Sequence, residues 1–170
     1  MCGIAGYIGI RKHVSENAVK STFKLMKNRG PDSSGFFFRD IGKKNSVMLM
    51  HTRLSIIDLY ERSNQPFIRN NVALVFNGEI YNYIELREIL KKKGFKFTTN
   101  SDTEVVINSY IAFGENCVKH FNGMWSLAIW DMGKEKLFLS RDLFGEKPMF
   151  YYKNNQGIFF GSEIKFIKEL

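Results

Sequence analysis

Cys2 stands directly after the initiator methionine. Methionine is readily removed before a small residue, which leaves this cysteine as residue one. The freed α-amine has an ordinary pKa of ~7.7–8.0 and sits on the same residue as the thiol. Such an amine can accept the thiol proton, as it does in enzymes with an N-terminal threonine. While Met1 remains, the nitrogen is tied up in a peptide bond and is no base. Position alone leaves a second reading open, a small buried cysteine in a strand.

The three histidines, His13, His51 and His120, are the ordinary place to look for a thiol-activating base. None has a telling local context, and strand or surface roles suit all three. Ser55, His51 and Asp58 lie close in sequence, but triads are assembled in space, so that proximity carries no weight. No HxxxH, HExxH or cysteine cluster is present, which predicts no metal site. Asn77-Gly78-Glu79 follows the apolar run VALVF. An Asn-Gly pair ordinarily marks a tight turn. A side-chain amide beside a glycine N–H also supplies two donors for a tetrahedral oxyanion. Arg53 reads either as a surface arginine or as a bidentate carboxylate clamp. Asp102 reads either as an acid in the first turn of a helix or as the counter-charge of an ammonium group.

These residues need a frame to bring them together. The chain has 170 residues, 44% of them apolar with 16 phenylalanines, enough for one domain with a continuous core. No apolar stretch approaches the ~20 residues that span a bilayer, and Met1–Ile10 lacks a signal-peptide pattern. The spacing of Cys2 and Cys117 suits neither a metal motif nor a disulfide framework, which favours a reducing, cytoplasmic setting. The net charge of +8 is scattered except at Lys91–Lys93, a run suited to a helix C-terminus. With no basic stripe or stacking-aromatic motif, a nucleic-acid module is disfavoured.

Strands are expected over 2–9, Gly35–Arg39, Ser46–His51, Leu54–Leu59, Val72–Asn77, Met124–Asp131, Lys136–Arg141, Met149–Tyr152 and Gly157–Gly161, with hairpin turns at 132–135 and 153–157. Helices are expected from Ser15 to Met26, from Asn82 to Gly94, from Ser101 to Gly114 and onward from about Glu163. Asn82 with Glu85, and Ser101 with Glu104, read as capping boxes. Arg29-Gly30-Pro31-Asp32 reads as a turn. This order predicts an α+β fold with antiparallel sheets. The last residues, EIKFIKEL, read as a helix, as expected of a domain taken from a longer protein.

Nine ordered segments carry a resemblance over essentially the whole chain: MCGIAGYIG, RGPDSSG, HTRLSIIDL, QPF, FNGEIYNY, SDTEVV, FNGMWSLAIWD, LFLSRDLFGEKPMFYY and GSEIKFI. Together they resemble the class II glutamine amidotransferase domain, an N-terminal nucleophile hydrolase. The likeness is strongest to the N-terminal half of the glutamine-hydrolysing asparagine synthetase family. The resemblance implies a four-layer αββα sandwich of two antiparallel sheets, and L-glutamine as substrate. It implies Cys2 as nucleophile with its amine as base, and Asn77 and Gly78 as oxyanion donors. It implies that Arg53 holds the α-carboxylate, that Leu54, Ser55, Ile56 and Ile57 line the same pocket, and that Asp102, with Glu79 nearby, binds the α-ammonium. The implied product is ammonia, delivered to a C-terminal synthetase domain absent from this sequence. ATP and Mg2+ belong to that domain, and no cofactor is expected in this one. Ser33–Ser34 departs from the residues common in relatives and receives no role. A homodimer, the identity of the ammonia acceptor, another amide substrate and a non-catalytic scaffold stay open.

Overall fold

The computed structural model describes residues 1–11 and 14–170. His13 lies outside the described residues. Among those described, the chain forms nine strands: β1 (Gly3–Ile10), β2 (Ser33–Ile41), β3 (Asn45–Arg53), β4 (Phe67–Arg69), β5 (Val72–Ile80), β6 (Gly123–Asp131), β7 (Lys136–Arg141), β8 (Phe150–Asn154) and β9 (Gly157–Gly161). Its α-helices are α1 (Glu16–Met26), α2 (Tyr83–Lys92), α3 (Asp102–Phe113) and α4 (Ile164–Glu169). The strands make a five-stranded sheet, ordered β2-β3-β1-β9-β8, and a four-stranded sheet, ordered β4-β5-β6-β7. Every pairing within them is antiparallel.

Side chains alternate between the two faces of a strand, and this alternation sorts the core into three layers. Ile4, Val47, Leu49, Ala73, Val75, Ala128, Trp130 and Phe160 pack between the two sheets. Their neighbours Ala5, Tyr7, Met48, Met50 and Phe159 turn outward onto Met26 of α1 and Phe166 of α4. Leu74, Phe76, Leu127 and Ile129 turn the other way, onto Leu86 and Leu90 of α2 and Val105–Ile107 of α3. The result is the four-layer αββα sandwich that the resemblance implied.

The helix starts are chemically defined. Ser15 Oγ accepts from Ala18 N at 3.2 Å, and Ser101 Oγ accepts from Thr103 N at 3.0 Å. The expected reciprocal halves of the capping boxes do not form. Glu104 instead accepts from the backbone N–H groups of Thr98 and Thr99 and pairs with Arg69 at 2.8 Å. Asn82 leaves its helix uncapped, since its side chain bridges His120 O and Asn122 N. Lys91 and Lys92 fall in the last turn of α2, where the helix dipole favours them.

Three segments depart from the expected pattern. Phe67–Arg69, to which the sequence assigned no strand, forms β4 against Val72–Leu74. Residues 54–60 form a loop rather than a strand, because the carbonyls of Ile57, Asp58 and Tyr60 accept from the Arg53 guanidinium instead of a neighbouring strand. Asn77-Gly78-Glu79, with turn-like composition, lies inside β5, paired with Ser126, Trp125 and Met124 of β6. Glycine is required there by packing: a Cβ at Gly78 would lie 2.2 Å from Met124 O.

Candidate active site

The alternation that buries Ile4, Leu49 and Val75 between the sheets continues to their shared end. In register with those residues, Cys2 precedes β1, Arg53 closes β3, and Asn77 and Glu79 lie on β5. One small cavity of about 80 Å³ results. Cys2, Arg53, Leu54, Ile56, Ile57, Asn77, Gly78, Glu79 and Asp102 all line it, together with Met1, Gln65 and Lys147. Of the residues singled out in the sequence for this site, Ser55 alone does not line it; its N–H donates to Asp32 Oδ2 at 2.7 Å on the loop's outer side.

Cys2 is held from both sides. Leu54 N–H donates to its Sγ at 3.4 Å, and Arg29 Nε donates to its carbonyl at 2.9 Å. Arg29 is itself braced by Glu163 at 3.1 Å. The Arg29–Pro31 turn reaches Cys2 because Gly30 presses onto β3, where a Cβ would lie 2.3 Å from Thr52 backbone. Burial pushes the Cys2 thiol up; the Leu54 N–H, the positive chain terminus and Arg53 oppose that push, and Asp102 adds to it. A thiol raised in this way needs a base.

The wall opposite holds unused donors. Asn77 is 2% exposed, and its Nδ2 has no hydrogen-bond partner among the described residues. A buried amide donor left unpaired is costly, and such orphans mark functional sites. Antiparallel alternation directs the N–H groups of Leu74, Phe76, Gly78 and Ile80 to the same edge of β5, away from β6. At that edge β4 covers Leu74, Gln65 Oε1 accepts from Phe76 N at 2.6 Å, and Asp102 Oδ2 accepts from Ile80 N at 3.1 Å. The Gly78 N–H lies between these last two and faces the cavity.

The charged residues behave differently from one another. Asp102 begins α3 and is pushed up to about 6, by burial first; the Ile80 and Thr103 N–H groups pull it down, and Glu79 raises it further. Arg53 is 5% exposed, and both of its terminal nitrogens are engaged. Nη1 donates to Tyr60 O and Asn64 Oδ1, and Nη2 to Ile57 O and Asp58 O. The two-pronged clamp expected from the sequence is thus occupied by the protein's own loop, while the charge still acts on Cys2.

His51 is fully buried and lowered to about 3, chiefly by burial, so its ring is neutral. Its Nε2 lies 3.2 Å from Phe76 O. His120 packs in a tilted arrangement on Phe113 with ring centroids 4.5 Å apart. Both have structural partners, in keeping with the bland roles read for them. Arg29, Gln65 and Lys147 went unassigned in the sequence. Lys147 is buried at the cavity wall, with Nζ 3.4 Å from Met1 Sδ, and Asp142 fixes its backbone by accepting its N–H at 2.9 Å. Only the segments QPF, RGPD and GEK pointed toward these three, without a role for any side chain.

The chain is similar to known proteins in sequence and in fold. The family described as "Glutamine amidotransferase domain" matches residues 1–170. A putative asparagine synthetase (glutamine-hydrolyzing) 2 from Methanocaldococcus jannaschii is 40% identical, over 97% of this chain and 34% of that protein. Asparagine synthetase (glutamine-hydrolyzing) 3 from Bacillus subtilis is 38% identical, over 98% of this chain and 27% of that protein. The chain therefore spans about a quarter to a third of the length of these relatives. A solved glutamine phosphoribosylpyrophosphate amidotransferase from B. subtilis shares the fold, with a TM-score of 0.79 at 20% identity, over 98% of this chain and 43% of that one. On the family match across its whole length and the identity to these relatives, the chain belongs to the glutamine amidotransferase domain family.

Proposed function

We propose that this domain hydrolyses the side-chain amide of L-glutamine to glutamate and ammonia through a γ-glutamyl thioester on Cys2. The observation that carries this reading is the buried, unpartnered Asn77 Nδ2 facing the cavity that also holds the Cys2 thiol. Removal of Met1 does two things at once. It frees the Cys2 amine to act as base, and it vacates part of a cavity that Met1 lines and that is small for glutamine.

The amine takes the thiol proton, and the sulfur attacks the amide carbon of the side chain. The carbonyl oxygen becomes an oxyanion, met by Asn77 Nδ2 and the Gly78 N–H. The ammonium so formed gives its proton to the leaving nitrogen, and the C–N bond breaks to release ammonia. Water then attacks the thioester, the amine accepts its proton, and that proton returns to the departing thiolate as glutamate leaves. Asp102, with Glu79 beside it, binds the α-ammonium. Arg53 meets the α-carboxylate by exchanging carbonyl partners on the 54–60 loop, with Leu54, Ile56 and Ile57 closing the pocket. A frame with both charges admits an amino-acid zwitterion and discriminates against simple amides.

In the longer protein, the ammonia passes to an ATP-dependent, amide-forming domain. The names of the relatives, glutamine-hydrolyzing asparagine synthetases, support that assignment and make aspartate the first acceptor to test. A reduced nucleophilic thiol suits the cytoplasm. The test is covalent: 6-diazo-5-oxo-L-norleucine should add once, on Cys2 of the processed protein, and Cys2→Ala should abolish both the adduct and glutamate release. An adduct elsewhere, or glutaminase activity surviving in Cys2→Ala, overturns the reading.

A further inference from the structure

We infer that Gln65 is a positioning residue for the oxyanion site, its side-chain amide standing in for a missing strand beside β5. The inference rests on the glutaminase reading above.

Strand β4 is only three residues long, and its pairing with β5 reaches no further than Leu74. Beyond that point the outer edge of β5 has no strand beside it among the described residues, yet β5 there carries Asn77 and the Gly78 N–H. Gln65 fills the first gap. Its Oε1 accepts from Phe76 N at 2.6 Å, and its Nε2 donates to Phe76 O at 3.2 Å. These are the two bonds a paired strand residue would make. Nε2 also lies 3.4 Å from Thr103 Oγ1, in the first turn of α3 beside Asp102. One amide thus ties the residue immediately before Asn77 to the helix start that carries the acidic group.

The amide is held in place. Gln65 is 7% exposed, and its neighbour Asn64 bonds Ser33 Oγ at 3.0 Å and Arg53 Nη1 at 2.8 Å. Its backbone packs so closely on β2 that a Cβ at Gly35 would lie 2.6 Å from Gln65 O. Oxyanion donors work because they are already aimed before charge develops, and small misplacements are expensive. A β5 edge loosened at Phe76 lets both donors drift while leaving the nucleophile and the charged ends of the pocket intact.

The effect should therefore appear in turnover rather than in binding. In the full-length protein, Gln65→Met keeps the side chain's length and removes all three hydrogen bonds. Its glutaminase kcat should fall roughly tenfold, part of the 10²–10³ typical for removal of a whole oxyanion donor. KM for glutamine should stay within about twofold, because Arg53 and Asp102 keep their own bonds to Ile57 O and from Ile80 N–H when the weaker 3.4 Å contact to Thr103 is lost. Alkylation of Cys2 by iodoacetamide, which needs no oxyanion site, should keep its wild-type rate and serves as the check on folding. Gln65→Glu keeps an acceptor for Phe76 N–H and loses the donor, so its kcat should fall between those of Gln65→Met and wild type. Hydrogen exchange over residues 72–80 should quicken in both variants. Wild-type kcat in Gln65→Met, or a rise in KM alone, overturns the inference and leaves the glutaminase reading standing. A processed wild-type protein that takes up iodoacetamide at Cys2 but releases no glutamate overturns both.

Discussion

The space between the two sheets has two unlike regions built by one rule. In its middle, alternate residues of β1, β3, β5 and β6 meet as Ile4, Leu49, Val75 and Ala128, all fully buried. At its end, the same alternation on three of those strands delivers Cys2, Arg53 and Asn77. The middle satisfies every demand of a core, with apolar atoms packed on apolar atoms. The end violates them with a raised thiol, a carboxylate pushed up to about 6 and an orphaned amide. Sheet geometry is indifferent to which residues it aligns. What sets the end apart is that polar groups stand in register with a core and one of them, the Asn77 amide, is left without a partner among the described residues.

That contrast predicts opposite responses to truncation. Asn77→Ala should cost about 10²–10³ in kcat, because it removes a proposed oxyanion donor. It should leave thermal stability unchanged or improved, since it also removes a buried unsatisfied group. Steady-state glutaminase assays beside a melting curve check both; a large loss of stability would mean that Asn77 belongs to the core after all. Leu49→Ala should do the reverse, losing about 2–5 kcal/mol of stability through the cavity left behind. Its kcat at temperatures where it stays folded should remain within a few-fold of wild type.

The smallest effect sharpens the electrostatic side of the comparison. Asp102 is charged above pH about 6 and neutral below it, and in the proposed function the substrate ammonium pairs with that charge. The value of kcat/KM should therefore fall as pH drops through about 6, by up to about tenfold per pH unit on that limb. Asp102→Asn should lower activity at neutral pH and flatten this limb. The folded protein holds the Asp102 proton more tightly than the unfolded chain does, so ionising it opposes folding. Stability from this group is greatest at low pH and declines as pH rises from about 4 to about 6, by roughly 3 kcal/mol at most. Above that window Asp102→Asn should melt no lower than wild type. A pH-independent difference between the two would remove Asp102 from the titrating frame.

Much of this was legible along the chain, and the exceptions share a cause. Ser15 and Ser101 cap helices as their positions predicted, because a cap bond closes within two or three residues. Leu54–Leu59 misled because it is rich in Leu and Ile like a strand, while the carbonyls of Ile57, Asp58 and the adjoining Tyr60 belong to Arg53. Asn77-Gly78 had the composition of a turn but lies in a strand, because Gly78 is needed for the close approach of β6 rather than for a bend.

The sequence by itself carried the resemblance to the family through nine ordered segments, the positions of most strands and helices through local period, and a set of candidate site residues through residue type. Only the tertiary structure decided that the Arg53 fork is taken up by its own loop, that Arg29 steadies Cys2 from 27 positions away, and that Gln65 completes the edge of β5 from 11 positions away. Each of those is a hydrogen bond between segments distant along the chain. Its partner is set by how two sheets pack, and no local periodicity carries that information.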